Sequence, residues 1–251
     1  PGAPLLSDPV DLDLPPQTDL AISIYFPGNT GAPTSHATAL QTNYISEAGN
    51  FTQSVSINNP TKFLNWNFIT SVEVHNQKAI GVVVAVGDSI TDGSGSTTNQ
   101  NARWPDFLAR RFAAHPELKE LAVVNAGIGG NRVLNDTPPA IPVFGLNLLS
   151  RLEHDVLSIT GITHIIVLEG INDIGFSQQL ARDQNVSAQD LIQGYRQVIA
   201  RGHARGLKVF GATLPPFKGA TYFSEEGEAK RLAINEWIRT SKEYDAWFDF
   251  D

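Results

Sequence analysis

Hydrophobic and polar positions change rhythm once along this chain. Over residues 1–78 the apolar runs are short and alternating: Ala21-Ile22-Ser23-Ile24-Tyr25-Phe26, then 38–44, 51–57 and 67–74. Pro27-Gly28 and clusters of Ser, Thr and Asn separate them. Alternation with turn residues between the runs predicts a small β-rich domain over 1–78. From residue 79 the pattern becomes strand then helix, repeated. Residues 81–86 form a continuous β-branched run, as in a strand covered on both faces. Further strands are predicted at 121–125, 164–169, 208–214 and 246–250. Helices are predicted at 104–114, with Pro105 in the first turn, and at 146–159. A third, 191–205, follows a Ser187/Asp190 capping box. A fourth follows Ser224, with Ala229, Ala233 and Trp237 on one stripe. This alternation argues for an α/β domain over 79–251 built on a doubly wound parallel sheet.

Composition narrows the function classes. The chain has 251 residues, 41% hydrophobic and 18% charged, with a net charge of −8. The negative balance disfavours nucleic acid and anionic membrane surfaces as partners, since both require a basic face. The longest apolar run, 79–86, is far shorter than a membrane span. No cysteine is present, which excludes disulfides, thiolate metal sites and cysteine nucleophiles. The six histidines show no metal-ligand spacing, so neither a metal nor another cofactor is expected. Methionine is absent as well, so Pro1 is not expected to begin a reading frame. The chain stops at Asp251, straight after the strand pattern Trp247-Phe248-Asp249-Phe250, and is expected to be part of a longer or processed polypeptide. No signal peptide is visible, and a secreted or extracytoplasmic location is the expectation.

In open parallel sheets, ligands sit at the carboxyl ends of the strands. Three predicted strand ends carry unusual residues. The first is Gly87-Asp88-Ser89-Ile90-Thr91-Asp92-Gly93, a serine on a tight turn that can expose its hydroxyl. The second is Asn125-Ala126-Gly127-Ile128-Gly129-Gly130-Asn131-Arg132, whose glycines let backbone N–H groups approach a ligand. The third is Glu169-Gly170-Ile171-Asn172-Asp173, which offers a side-chain amide donor. The loop over 133–146 adds Pro138, Pro139, Ile141, Pro142 and Phe144, an expected apolar wall.

Together these blocks resemble the SGNH hydrolases, also called GDSL esterases. The first block of that family appears as Gly87-Asp88-Ser89-Ile90, the second as the stretch from Asn125 to Gly130, and the third as Gly170-Ile171-Asn172-Asp173. The resemblance covers 79–251. It implies a flavodoxin-like three-layer αβα sandwich with a central parallel five-strand sheet, the SGNH hydrolase fold. It implies a serine esterase in which Ser89 is the nucleophile. The oxyanion hole would be the backbone N–H of Ser89, the backbone N–H of Gly130, with Gly129 the neighbouring candidate, and the amide of Asn172. Asp88 and Asp173, like Asp92, would orient loops rather than react. The substrate would be a small-molecule or carbohydrate ester. One block is missing: no aspartate here has histidine three residues on, so the Asp-x-x-His base of the family is absent. We expect that histidine to come from a segment beyond Asp251, such as a C-terminal fragment of the same precursor.

Plainer readings stand beside these. Ser89 can simply cap a helix. The glycines can be turn residues, and Asn172 an Asx-turn residue. Arg132 is expected to pair with a carboxylate such as Asp136. A non-catalytic flavodoxin-like module would place phosphate on the first loop, against which Asp88 and Asp92 argue by charge. A carbohydrate-binding module with an inert site is a further alternative. A glycosidase using Glu169 and Asp173 would leave Ser89 idle.

Overall fold

The computed structural model describes residues 5–138, 141–179 and 181–251, apart from the side chain of Gln178. Pro139, one of the residues of the expected apolar wall, lies outside them. The chain divides into two compact units, Pro1–Gln77 with Ser96–Asn101, and Lys78–Gly95 with Ala102–Asp251.

The first unit holds two small antiparallel ladders. Strand β1 (Ser35–His36) pairs with β4 (Trp66–Asn67), and β2 (Asn43–Ile45) pairs with β3 (Thr61–Phe63). Within this unit, Asn99 donates its backbone N–H to the Leu40 carbonyl at 2.9 Å and its side-chain amide to Thr42 Oγ1 at 2.8 Å. The alternating runs at 21–26 and 51–57 are not strands, and those at 38–44 and 67–74 touch strands only at their ends. Alternation alone supplies no ladder partner, and these runs leave Ile22, Ile24 and Val55 exposed.

The second unit is built on five parallel strands. They are β5 (Gly81–Gly87), β6 (Leu121–Gly127), β7 (Ile162–Leu168), β8 (Lys208–Ala212) and β9 (Ala246–Phe248), in the spatial order β6-β5-β7-β8-β9. That is the flavodoxin-like order, with helices flanking the sheet. The order reverses at β5, so the carboxyl ends of β5, β6 and β7 surround the switch point where such sheets bind ligands. Val83 to Val86 and Ile165 to Leu168 are nearly inaccessible, which explains why β5 and β7 show continuous apolar runs.

The helices follow local signals where these are strong. Helix α2 spans Trp104–Ala114, with Pro105 in its first turn, as predicted. Helix α5 (Ala188–His203) opens on the Ser187/Asp190 capping box, with Ser187 Oγ accepting from the Asp190 N–H. Ser224 caps α6 (Glu225–Thr240) by accepting from the Gly227 N–H. The buried face of α6 differs from the predicted stripe. Ala229 and Ala233 are exposed, and Gly227, Arg231, Ile234, Asn235 and Ile238 face inward. Asn235 is accommodated by bonding both the N–H and the C=O of Leu214, at 2.7 and 2.9 Å. Two satisfied polar residues thus stand where an apolar pattern was sought. The helix predicted at 146–159 is α3 (Leu148–Leu152) followed by a π-helical turn over Glu153–Leu157. Among the described residues, no helix is long and apolar enough to cross a membrane.

Candidate active site

Strand pairing sets Gly87 beside both Gly127 and Leu168, so the three motif loops leave the sheet side by side. The first loop turns at once into α1 (Ser89–Asp92). Asp88 is its N-cap, accepting the Ile90 N–H at 2.9 Å. The capping role open to Ser89 therefore belongs to its neighbour. Asp88 also places a carboxylate at the helix end where the alternative phosphate reading needs an anion, which disfavours that reading. Ser89 takes the first helical position, half-buried, and its Oγ makes no hydrogen bond among the described residues. As a first-turn residue, its backbone N–H has no partner within the helix. Trp104 Nε1 donates to Thr91 Oγ1 at 3.2 Å, and Arg103 Nε donates to the Asp92 carbonyl at 3.0 Å. These bonds hold α1 from the α2 side.

The second loop is laced to the first. Asn125 Nδ2 donates to the Thr91 carbonyl at 2.7 Å, while Asn125 Oδ1 accepts the Gly127 N–H at 2.9 Å. The Ile128 N–H donates to the Gly87 carbonyl at 3.0 Å. The Gly129 N–H donates to Asp92 Oδ2 at 3.0 Å. That bond commits Gly129. Gly130, the next residue, has a φ of +77°, which favours glycine, and its N–H has no partner among the described residues. Of the two candidate glycines, only Gly130 keeps its N–H available. A Cβ on Gly130 would stand 2.3 Å from a ring carbon of Phe144, so the expected apolar wall meets the site at this ring.

The third stretch is not a loop throughout. Helix α4 (Ile171–Gln179) starts directly after Gly170 and carries Asn172 and Asp173 in its first turn, both buried. Asn172 Nδ2 donates to the Asn131 carbonyl at 2.9 Å. An amide nitrogen carries two hydrogens, so one remains for a ligand. Asp173 accepts from the N–H groups of Val133 and Leu134 at 2.8 and 3.1 Å, which ties the second loop to α4. Arg132 is buried, and its guanidinium donates to the Asp136 carbonyl rather than to the Asp136 carboxylate. That carboxylate instead accepts from the backbone N–H and side-chain amide of Asn147, at 2.8 and 2.7 Å.

Asp88, Asp173 and Glu169 are among the buried carboxyls of these loops. Burial pushes Asp88 up to about 7, against the pull of the Ile90 N–H. Burial likewise raises Asp173 to about 6, opposed by its two backbone donors and by Arg132. Glu169 rises to about 8 because it is wholly buried, with Arg151 opposing. Among the described residues, neither oxygen of the Glu169 carboxyl accepts a hydrogen bond. With Glu169 sealed and Asp173 engaged by backbone, neither carboxyl can meet a glycosidic bond, which removes the glycosidase reading. Among the described residues, no three His, Asp or Glu side chains cluster as a metal site requires.

The sequence of residues 85–251 matches the GDSL-like Lipase/Acylhydrolase family. The chain belongs to that family. It stands thereby among the carboxylic ester hydrolases. Its structure is similar to that of Est24, a carbohydrate acetylesterase from Sinorhizobium meliloti, at 15% identity and a TM-score of 0.53, over 67% of this chain and 83% of that one. It is similar too to a mutant of Axe2, an acetyl-xylooligosaccharide esterase from Geobacillus stearothermophilus, at 18% identity and a TM-score of 0.50, over 67% and 75% of the two chains. At such identities the likeness is one of fold, and it is the SGNH hydrolase fold expected from the motifs. No curated protein matches the chain.

A GDSL hydrolase also needs a base. Four histidines belong to the second unit. His115 caps the end of α2, His154 bonds Asp155 at 2.6 Å, His164 bonds Thr163 Oγ1 at 2.8 Å, and His203 bonds Asp245 at 2.8 Å. None of them stands in the three motif loops. Two residues that the motifs did not single out prove central. Asn131 donates to the carbonyls of Phe144 and Leu146 at 2.8 and 2.7 Å, and Arg151 reaches the same region from α3. The one sequence signal for Arg151 is a single charge between Leu148, Leu149 and Leu152.

Proposed function

We propose that this protein is a serine esterase that cleaves carboxylic esters through an acyl-enzyme on Ser89. The observation that carries the reading is the pattern of donors already used and donors left over. Asp92 takes the Gly129 N–H and Asn131 takes one hydrogen of the Asn172 amide. The Gly130 N–H, the second Asn172 hydrogen and the first-turn N–H of Ser89 are left over on the segments that follow three adjacent strands. Held donors of this kind favour the tetrahedral oxyanion over the flat ester, each contributing about 10²–10³ in rate.

In the proposed cycle, Ser89 Oγ attacks the acyl carbon as a base removes its proton. The carbonyl oxygen becomes the oxyanion. The alcohol then leaves with that proton, and water releases the acid from Ser89 by the same two steps. The base is a histidine that the described residues do not place at Ser89. The substrate proposed is a small-molecule or carbohydrate ester, with Phe144 against Gly130 as an apolar wall suited to a short acyl group or an aryl leaving group.

The test is intact mass spectrometry after treatment with a fluorophosphonate, with and without added imidazole as an external base. One adduct per chain, absent from Ser89→Ala, is the expected result. No adduct under either condition would overturn the proposal.

A further inference from the structure

One guanidinium bonds the ends of two motif strands and faces the residue just after the third. Arg151 is 4% exposed, and each of its nitrogens has a separate partner near the site. Its Nη2 donates to the Gly87 carbonyl at the end of β5, at 3.2 Å. Its Nη1 donates to the Ala126 carbonyl near the end of β6, at 2.8 Å. Its Nε donates to Asn131 Oδ1 at 2.8 Å. Beyond β7, the Glu169 carboxyl stands 3.6 Å from Nη2, and Asp155 stands 3.5 Å from Nη1. The α-helix that carries Arg151 widens into a π-helical turn two residues later, at Glu153. Such widenings are uncommon and often accompany functional sites.

We infer that Arg151 is a positioning residue that fixes the three oxyanion donors relative to one another. Each proposed donor is linked to it through a short chain of bonds. Gly87 precedes the Ser89 turn by one residue. Asn131 follows Gly130 directly, and its carbonyl receives the Asn172 amide. Arg151 therefore holds Asn131 by its side chain while Asn172 holds it by its carbonyl. Without that hold, the Asn131 amide oxygen loses its donor, and the Gly87 and Ala126 carbonyls lose one donor each, with the Ile128 N–H still on Gly87. A planar fork with fixed N–H directions suits this task, and a lysine ammonium, a flexible point charge, does not. The inference rests on the esterase reading for its purpose but not for its test.

Arg151→Met removes the fork, and Arg151→Met with Glu169→Gln also removes the carboxyl it would orphan. Amide hydrogen exchange is read on peptides covering 87–93, 126–134 and 169–173, against peptides from α5 and α6. Exchange about tenfold faster in the three loops, with the helices unchanged, is expected. An equal rise everywhere, or no rise in the loops, would overturn the inference. The rate of fluorophosphonate labelling supplies the second readout. A displacement of about 1 Å should lower the bond-forming rate about 10²-fold with little change in probe affinity. Arg151→Lys should label as slowly as Arg151→Met, and full recovery by lysine would show that charge alone suffices. A wild-type protein that never labels counts against the esterase reading, while the exchange pattern still decides the role of Arg151.

Discussion

Gly127→Ala puts the packing of the turn that carries Ser89 to a quantitative test. Gly127 closes β6, and a Cβ there would lie 2.3 Å from the backbone nitrogen of Asp92, 2.8 Å from the Thr91 carbonyl carbon and 2.9 Å from Asp92 Cα. Ordinary contact begins near 3.4 Å, so α1 and β6 must separate by about 1 Å. All three obstacles are backbone, and no side-chain rotation relieves them. The helix is also pinned by Asn125 on the Thr91 carbonyl, Arg103 on the Asp92 carbonyl and Asp92 on the Gly129 N–H. Overpacking of this kind costs about 1–3 kcal/mol. Moving Ser89 by about 1 Å should slow fluorophosphonate labelling about 10²-fold. Gly129→Ala, two residues on, is the control, since its Cβ would meet only Asp92 Oδ2 at 3.3 Å. Urea unfolding midpoints and labelling rates of the two variants are the assay. A Gly127→Ala protein no less stable than Gly129→Ala, and labelled as fast as wild type, would refute the account of how α1 is held.

Three further outcomes are expected. Asn172→Ala should lower turnover of a p-nitrophenyl ester about 10²–10³-fold with KM little changed; it also strips the donor from the Asn131 carbonyl, costing about 1–3 kcal/mol in urea unfolding. Glu169, Asp88 and Asp173 keep their protons to about 8, 7 and 6 when folded, above their ordinary values of 4.5, 3.8 and 3.8, so unfolding releases protons. Their stabilisation is complete below about pH 4 and is lost as pH rises through those values, at up to about 1.4 kcal/mol per pH unit for each group. Glu169→Gln should flatten the alkaline side of the stability–pH curve, and parallel curves for variant and wild type would contradict the assignment. Asp245 and Asp249, both depressed by ion pairing and hydrogen bonds, act in the opposite sense below about pH 4. Ser187→Ala should cost about 1 kcal/mol, because it deprives the Asp190 N–H of its acceptor at the start of α5; circular dichroism melts read this directly.

The parts of this molecule that were legible in its sequence are those specified by neighbours along the chain. Helix α2 and the cap of α5 are set by Pro105 and by Ser187 with Asp190, each within one turn. The three motif loops were legible because their chemistry is written in consecutive residues. The start of α4 was hidden, since Gly170, Gly175 and the polar Asn172, Asp173 and Ser177 give it little helical rhythm. The inward face of α6 was hidden because Arg231 and Asn235 are buried through partners elsewhere in the fold, the Leu214 carbonyl among them. The choice between Gly129 and Gly130 rested on a bond to Asp92, 37 positions away. Arg151 was hidden for the same reason, because its contact with Gly87 spans 64 positions.

The position of the motif strands along the chain also orders events during synthesis. Every proposed oxyanion donor lies on β5, β6 or β7 or just beyond, and these three strands are neighbours in the sheet. Strands β8 and β9 add outward from β7 and supply no donor. Domains assemble from the N-terminal side as the ribosome extends the chain by about 5–20 residues each second. The residues proposed to hold a developing negative charge are thus encoded before the outer strands β8 and β9. A nascent chain carries every proposed oxyanion donor several seconds before the residues of β8 and β9 are added.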